Sequence, residues 1–298
     1  MATRKLRGVP PAEVAPSKPK ILIFGEGGVG KTTFASHFPK PYYIDSERGA
    51  NREQYVRLLK ASGGLYYEED SLENVVDELE TLATTEHPYQ SVVIDSFTKL
   101  YNNAIAQTEE DMRKRSEKPA FGSQNKPAAD LARRMIRWIT RVDMNVILIC
   151  HEKAEWEKGE QTGWTFDGYP KLNYELDLSM RATLVGNDGR RVKVTKSRIE
   201  SLPMGAGFEF SFEEFANRYG KDVILGEVKP FIQATREQHD MLRGYFATLE
   251  YSDERWTKML ASAKPAAESF DEVSDEQASK WIAMLAPLVE NKKAEPKI

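Results

Sequence analysis

Eight residues constrain this chain more than any others. Gly25-Glu26-Gly27-Gly28-Val29-Gly30-Lys31-Thr32 fits the pattern G-x-x-x-x-G-K-[ST]. An apolar run at 21–24 precedes it, and the segment 32–37 reads as a helix. Strand, loop and helix in that order are the context in which the pattern has a physical meaning. Glycines let successive backbone N–H groups turn inward around an anion. The helix N-terminus adds partial positive charge. Lys31 brings a full charge to the β- and γ-phosphates, and the Thr32 hydroxyl is a ligand for Mg²⁺. Gly25, Glu26, Gly27, Gly28, Val29, Gly30 and Thr33 complete the expected cradle. Gly25, Gly27 and Gly30 also satisfy G-x-G-x-x-G, with Asp45 about 20 residues on, where a dinucleotide fold would hold a ribose. The Lys31-Thr32 pair decides for a nucleoside triphosphate, because a pyrophosphate bridge needs no lysine there.

Further apolar runs of strand length follow at 42–44, 92–94 and 146–150. They are continuous rather than alternating, as expected for strands buried on both faces of a parallel sheet. Helical patterns separate them at 32–37, 51–60, 71–83 and 128–142. In 71–83 the residues Leu72, Val75, Val76, Leu79 and Leu82 repeat at helical spacing behind Ser71, a capping residue. Alternating strand and helix predict an α/β, doubly wound fold with a mostly parallel sheet flanked by helices. Beyond residue 180 the texture changes to short strands at 181–185 and 191–195, with the hairpin signal Asn187-Asp188-Gly189 between them. A further strand is expected at 208–210 and a short helix at 211–219. Three helices, 235–249, 252–263 and 274–285, make a small C-terminal module. Thr235 with Gln238 and Ser274 with Gln277 fit a capping box. The expected organisation is a flexible N-terminal arm (1–19, with four prolines), a core (20–230) and a helical module with a charged, frayed tail (231–298).

Composition narrows the function. The 298 residues carry a net charge of −4, so only a local basic patch could argue for nucleic acid. One cysteine, Cys150, excludes a disulfide framework and a Cys-rich zinc site, and four histidines make a His-based metal site a poor reading. No run reaches the roughly 18 apolar residues of a membrane span. The first 20 residues are charged without an apolar stretch, unlike a secretory signal. The expectation is a soluble, cytoplasmic chain of a reducing compartment with no membrane partner.

The strand 92–94 ends in Asp95, the natural second anchor for Mg²⁺. Hydrolysis also needs a group that orients or deprotonates water. No glutamate follows Asp95, but Asp45-Ser46-Glu47 places carboxylates just past the preceding strand. Read on its own, Glu47 is either that group or a solvated loop acid with Asp45 the better base. Read on its own, His151 is either a functional residue or a strand-end cap.

This order resembles the RecA family core: a phosphate loop, a strand ending in Asp-Ser-Glu, a strand ending in aspartate, and residues 146–150 followed by His151. The resemblance implies that Glu47 activates water. It also implies that His151, at the end of a strand lying between the phosphate-loop and Asp95 strands, senses the γ-phosphate where glutamine is usual. Lys196-Ser197-Arg198 resembles the K-x-R element of RecA-like and hexameric ATPases. There Lys196 and Arg198 would reach a neighbouring subunit's γ-phosphate, which requires a homo-oligomer, ring or filament. Alternating basic residues on an edge strand also serve solubility.

Segment 113–141 holds nine basic residues, Arg113, Lys114, Arg115, Lys118, Lys126, Arg133, Arg134, Arg137 and Arg141, against Glu117 and Asp130. Phe121 lies inside it. A second loop, 156–174, carries Trp156, Trp164, Phe166, Tyr169 and Tyr174. In RecA relatives the loops after the corresponding strands line a DNA channel. Aromatics in a positive groove suit single-stranded nucleic acid; a solvated helix face is the rival reading for part of the arginine run. The whole resembles phage-encoded RecA-like ATPases of the Sak single-strand annealing and recombination group, over about residues 20–230. The C-terminal module looks like the small helical tails of phage recombination proteins and is open to docking a single-strand-binding protein or to covering an oligomer face. The resemblance implies an ATP- and Mg²⁺-dependent, DNA-stimulated ATPase that oligomerises on single-stranded DNA in a bacterial cytoplasm. Rivals on the same loop are a helicase or translocating motor, a small-molecule kinase and a nucleotide switch.

Overall fold

The computed structural model describes residues 17–116, 122, 124–186 and 189–294. Residues 1–16, Lys118, Phe121, Asn187, Asp188 and the last four residues lie outside the described residues.

The core begins with β1 (Lys20–Gly25), α1 (Lys31–Ser36), β2 (Pro41–Asp45), α2 (Glu53–Ala61), β3 (Leu65–Glu68) and α3 (Leu72–Thr84). It continues with β4 (Ser91–Asp95), two long helices α4 (Phe97–Lys114) and α5 (Asn125–Arg141), and β5 (Asn145–Cys150). A separate antiparallel hairpin follows, β6 (Glu152–Glu157) and β7 (Glu160–Phe166). The chain then runs through α6 (Leu172–Glu175), β8 (Leu178–Val185), β9 (Gly189–Ser197), β10 (Gly207–Glu209), α7 (Phe212–Tyr219) and α8 (Lys221–Leu225). The C-terminal helices are α9 (Arg236–Thr248), α10 (Asp253–Ala261) and α11 (Asp275–Ala294).

Eight strands form one sheet in the order β10-β9-β8-β1-β5-β4-β2-β3. From β8 to β3 every pairing is parallel; β8–β9 and β9–β10 are antiparallel. The expected α/β fold with a largely parallel sheet is therefore the observed one. Strand pleating explains the continuous apolar runs. In β1, Leu22 and Phe24 enter the core under α3, α4 and α5, whereas Ile21 and Ile23 enter the core under α1, α2 and α7. Val146 and Leu148 against Ile147 and Ile149 repeat this split in β5. Both faces must be apolar because both are covered. Truncating such a residue to alanine typically costs about 2–5 kcal/mol.

Several elements differ from expectation. β3 is an edge strand of partly exposed residues, too polar on its outer side to register as a run. α4 is buried only at Phe97, Thr98, Leu100 and Tyr101, in its first two turns, so it lacks a sustained apolar stripe. The expected loop 156–174 is mostly the β6–β7 hairpin and α6. Residues 17–19, expected in the arm, are tied down: Lys18 Nζ donates to the Val223 and Gly226 carbonyls at 3.1 and 2.7 Å, and the Tyr219 hydroxyl donates to the Ser17 carbonyl at 2.7 Å. The last helix extends to Ala294 rather than fraying from residue 291.

The C-terminal helices have their own core, centred on Leu242, Phe246, Trp256, Leu260 and Trp281. They are bolted to α5 by charge. Arg137 Nε donates to Glu272 at 2.7 Å, and Arg141 donates to the Glu272 carboxylate at 3.2 Å, the Glu272 carbonyl at 3.0 Å and the Ala266 carbonyl at 2.6 Å. Arg141 and Glu272 are buried. Two residues of the basic run therefore face this module instead of solvent or a nucleic acid. No helix is long and apolar enough to cross a membrane among the described residues.

Candidate nucleotide site

Strand register brings the chemistry together. Phe24 pairs with Cys150, Ile149 with Asp95, and Asp95 with Asp45. Four strands therefore end at one level, and the segments after β1, β5, β4 and β2 meet there.

The phosphate loop joins β1 to α1. Gly25, at φ +144°, allows the close passage of β8: a Cβ on it would lie 2.0 Å from the Ala182 carbonyl oxygen. Gly30 is left-handed at φ +100° and leads into α1. Lys31 Nζ donates to the Gly25 and Glu26 carbonyls at 2.7 and 2.8 Å, so its ammonium is held against the loop itself. Burial lowers the Lys31 pKa, opposed by nearby Asp95, Glu152 and Glu47.

Thr32 Oγ1 donates to Asp95 Oδ2 at 2.7 Å, across 63 residues of sequence. The Tyr43 hydroxyl donates to the same oxygen at 2.6 Å. Burial pushes the Asp95 carboxyl above its usual range, and the bonds from Tyr43 and Thr32 hold it back. A hydroxyl beside a carboxylate is a pair of hard oxygen donors, the chemistry Mg²⁺ takes alongside phosphate oxygens and water. Thr32 and Asp95 thus fit a Mg²⁺ site, and bound metal would neutralise phosphate charge there. Tyr43 is a positioning residue that sequence reading missed. Its period-two place on β2, two residues before Asp45, was the available signal.

Glu47 stands at the junction of three elements. Ser96 Oγ donates to Glu47 Oε1 at 2.5 Å while accepting from the Lys99 amide at 3.3 Å as the cap of α4. His151 Nε2 lies 2.6 Å from the same Glu47 oxygen. The bond from His151 and that from Ser96 hold the Glu47 carboxyl down to about 2, against burial, which opposes them. Glu47 in turn raises His151 above its ordinary value. The His151 amide donates to Thr98 Oγ1 at 2.9 Å, which fixes the turn out of β5.

Asp45 has other partners. It is buried, and its carboxylate accepts from the Glu47 amide at 2.9 Å, the Ala50 amide at 2.7 Å and the Tyr66 hydroxyl at 3.1 Å. It shapes the loop that presents Glu47. Ser46 ties that loop to β4, donating to the Ser96 carbonyl at 3.0 Å and accepting from the Ser96 amide at 2.9 Å.

Other expected residues lie elsewhere. Lys196 and Arg198 sit at the far end of β9, where Lys196 pairs with Ser179, and their side chains bond to the Leu176 and Tyr174 carbonyls. They do not meet their own chain's phosphate loop. Arg113 and Lys114 end α4, with Lys114 2.9 Å from Glu110; Arg115 follows. Lys126 begins α5 and is exposed. Arg133 is paired with Asp130, and Arg134 lies 3.5 Å from Asp77. Trp156 and Trp164 are exposed on the β6–β7 hairpin. Phe166 is buried against Phe24, with ring centroids 6.3 Å apart, and offers no stacking face. Phe166 therefore leaves the expected nucleic-acid set: it lies on the same side of β7 as Trp164, and only at the end of the strand does that side meet the core.

Sequence reading also missed Arg190. Its Nη1 lies 3.1 Å from where a Cβ on Gly30 would sit, placed there by the β8–β9 register rather than by any local motif.

No curated protein matches this sequence. A family model described as an AAA domain matches residues 17–202, a span holding the phosphate loop, Glu47, Asp95, His151 and the strands that align them. With more than half of the chain matched and a lysine-bearing loop facing a Thr32–Asp95 pair, the protein belongs to the AAA domain family of P-loop ATPases.

Proposed function

We propose that this ATPase binds single-stranded DNA as a homo-oligomer and uses ATP and Mg²⁺ to promote annealing or strand pairing, as in the Sak-type recombination group it resembles. The observation that carries the reading is continuity. His151, hydrogen-bonded to Glu47, is followed at once by β6, and the β6–β7 hairpin holds out Trp156 and Trp164, 63 and 43% exposed. A change at Glu47 therefore reaches two stacking surfaces through one hydrogen bond and the strand that follows His151. Stacking of a base on an aromatic ring is worth about 1–3 kcal/mol and tolerates any base. Arg181 lies 5.2 Å over the Trp164 ring and pairs with Glu152 at 2.9 Å, which fixes that indole relative to β8. The described hairpin strands carry Glu152, Glu155, Glu157 and Glu160 against Lys153, so the contact there is by stacking. Phosphate neutralisation falls to Arg113, Lys114 and Arg115 at the end of α4 and Lys126 at the start of α5.

In the reaction, Lys31 and the loop amides bind the triphosphate, and Thr32 and Asp95 would hold Mg²⁺. Glu47 accepts a proton from the attacking water once released from His151. Lys196 and Arg198, remote from their own loop, would act on a neighbouring copy after giving up the Leu176 and Tyr174 carbonyls. The test is fluorescence of Trp156 and Trp164 titrated with oligo-dT in the presence of a non-hydrolysable ATP analogue. The proposal expects quenching in the wild type and weaker DNA binding in Trp156→Ala. Equal affinity in Trp156→Ala would remove the hairpin from the interface.

A further inference from the structure

Two spaces adjoin the phosphate loop. One is a cleft of about 1050 Å³ between α1, the β8–β9 hairpin and the start of α7. The other is a groove of about 480 Å³ between the loop and α2, with Gln54 and Tyr55 in its wall. Gly30, Thr33 and Arg190 line both, so either is contiguous with the place of the phosphates. A nucleotide anchored by its phosphates can put its nucleoside in only one of them.

The chemistry of the walls separates the two. In the large cleft the rings of His37 and Phe212 lie 18° from parallel with centroids 6.5 Å apart. A heterocycle stacked on Phe212 would lie nearly parallel to the imidazole plane, the orientation that an in-plane contact to His37 needs. His37 Nδ1 lies 2.7 Å from the Thr33 carbonyl oxygen, which can only accept. The ring proton therefore sits on Nδ1, and Nε2 of the neutral ring is an acceptor. Among the described residues Nε2 makes no hydrogen bond. An acceptor in this position matches an exocyclic amine and mismatches an oxo group. The smaller groove offers Gln54, whose amide can turn either way and so discriminates neither.

Resting on the reading of Lys31 as a triphosphate ligand, we propose that the cleft beside α1 is the nucleoside half of the site. Phe212 provides a stacking face, Arg190 stands at the seam with the phosphates, and His37 Nε2 accepts from the exocyclic amine of adenine. His37 is then a specificity residue that favours ATP over its 6-oxo counterpart.

The experiment measures binding of ATP, inosine triphosphate and inorganic tripolyphosphate to the full chain by calorimetry. The wild type is expected to bind ATP about five- to tenfold tighter than inosine triphosphate, the effect of one net hydrogen bond. His37→Phe keeps a ring and loses the acceptor, so the ATP preference disappears while tripolyphosphate binding is retained. His37 is exposed at the end of α1, and this variant carries the test even where Phe212→Leu fails to fold. Phe212→Leu weakens both nucleotides, and Tyr55→Leu weakens neither. Equal affinities in the wild type, an ATP preference that survives His37→Phe, or a loss confined to Tyr55→Leu overturns the assignment. If tripolyphosphate still binds, only the cleft is refuted; if it does not bind the wild type, the reading of Lys31 fails with it.

Discussion

Glu47 Oε1 lies 2.6 Å from His151 Nε2, which joins the end of β2 to the end of β5 over the top of β4. The bond places the candidate water-activating carboxylate under the control of the strand beside the phosphate loop. Glu47→Gln keeps the shape and the Ser96 contact but removes the base. Turnover of ATP is expected to fall by about 10²-fold or more, with ATP affinity nearly unchanged. Steady-state hydrolysis and equilibrium binding on the same preparation check this. Wild-type turnover would move the base to another group.

The same pair sets a pH dependence. Glu47, held down to about 2 by His151 and Ser96, contributes fully above its ordinary 4.5 and loses that contribution as pH falls toward 2. His151, raised by Glu47, contributes fully below its ordinary 6.5 and loses its part as pH rises through the raised value. The charged pair is complete only between these limits. Both side chains are partly exposed, so it adds little to stability. Its effect belongs in the kinetics: kcat is expected to rise with pH as His151 loses its proton and loosens its hold on Glu47. His151→Gln should abolish that limb. The same limb in both proteins would assign it elsewhere.

Thr32 and Asp95 make a separable prediction. Asp95→Asn keeps the volume and removes a charge, so the Mg²⁺ concentration for half-maximal protection of nucleotide-bound protein against thermal unfolding should rise at least tenfold. Tyr43→Phe, which removes one hydroxyl from the Asp95 oxygen, should shift it in the same direction by less. An unaltered Mg²⁺ midpoint in Asp95→Asn would contradict the metal assignment.

The module joint is tested through Glu272. Its carboxylate is buried between Arg137 and Arg141, so Glu272→Ala leaves two guanidinium groups short of a partner. Removing one member of a buried ion pair typically costs about 3–5 kcal/mol. Denaturant unfolding should show that loss, or a first transition in which the C-terminal helices detach. A loss under about 1 kcal/mol in a single transition would mean that apolar contacts alone hold the module.

What the sequence disclosed and what it hid follow from the range of the interactions. Residues 21–24, 92–94 and 146–150 were readable as strands because burial on both faces makes them apolar throughout. The phosphate loop was readable because its chemistry is contiguous. Arg137 and Arg141 were not, since a helix of arginines looks the same whether it meets water, DNA or Glu272 more than 130 residues away. Arg190 was hidden for a like reason: only the pairing of β9 with β8 carries it to Gly30. β3 escaped because an edge strand with exposed Leu65 and Glu68 lacks a buried run. Asp45 and Glu47 were indistinguishable as acids until the Glu47 and Ala50 amides were seen to occupy Asp45.

The central claim is that nucleotide turnover is coupled to an unpaired strand held by an assembly of this chain. It is tested most directly by measuring the ATP hydrolysis rate with and without single-stranded DNA while following particle size by light scattering. The account predicts faster hydrolysis with DNA and particles several times the 33.9 kDa chain mass. An unchanged rate on a chain that stays monomeric in ATP and DNA would contradict it.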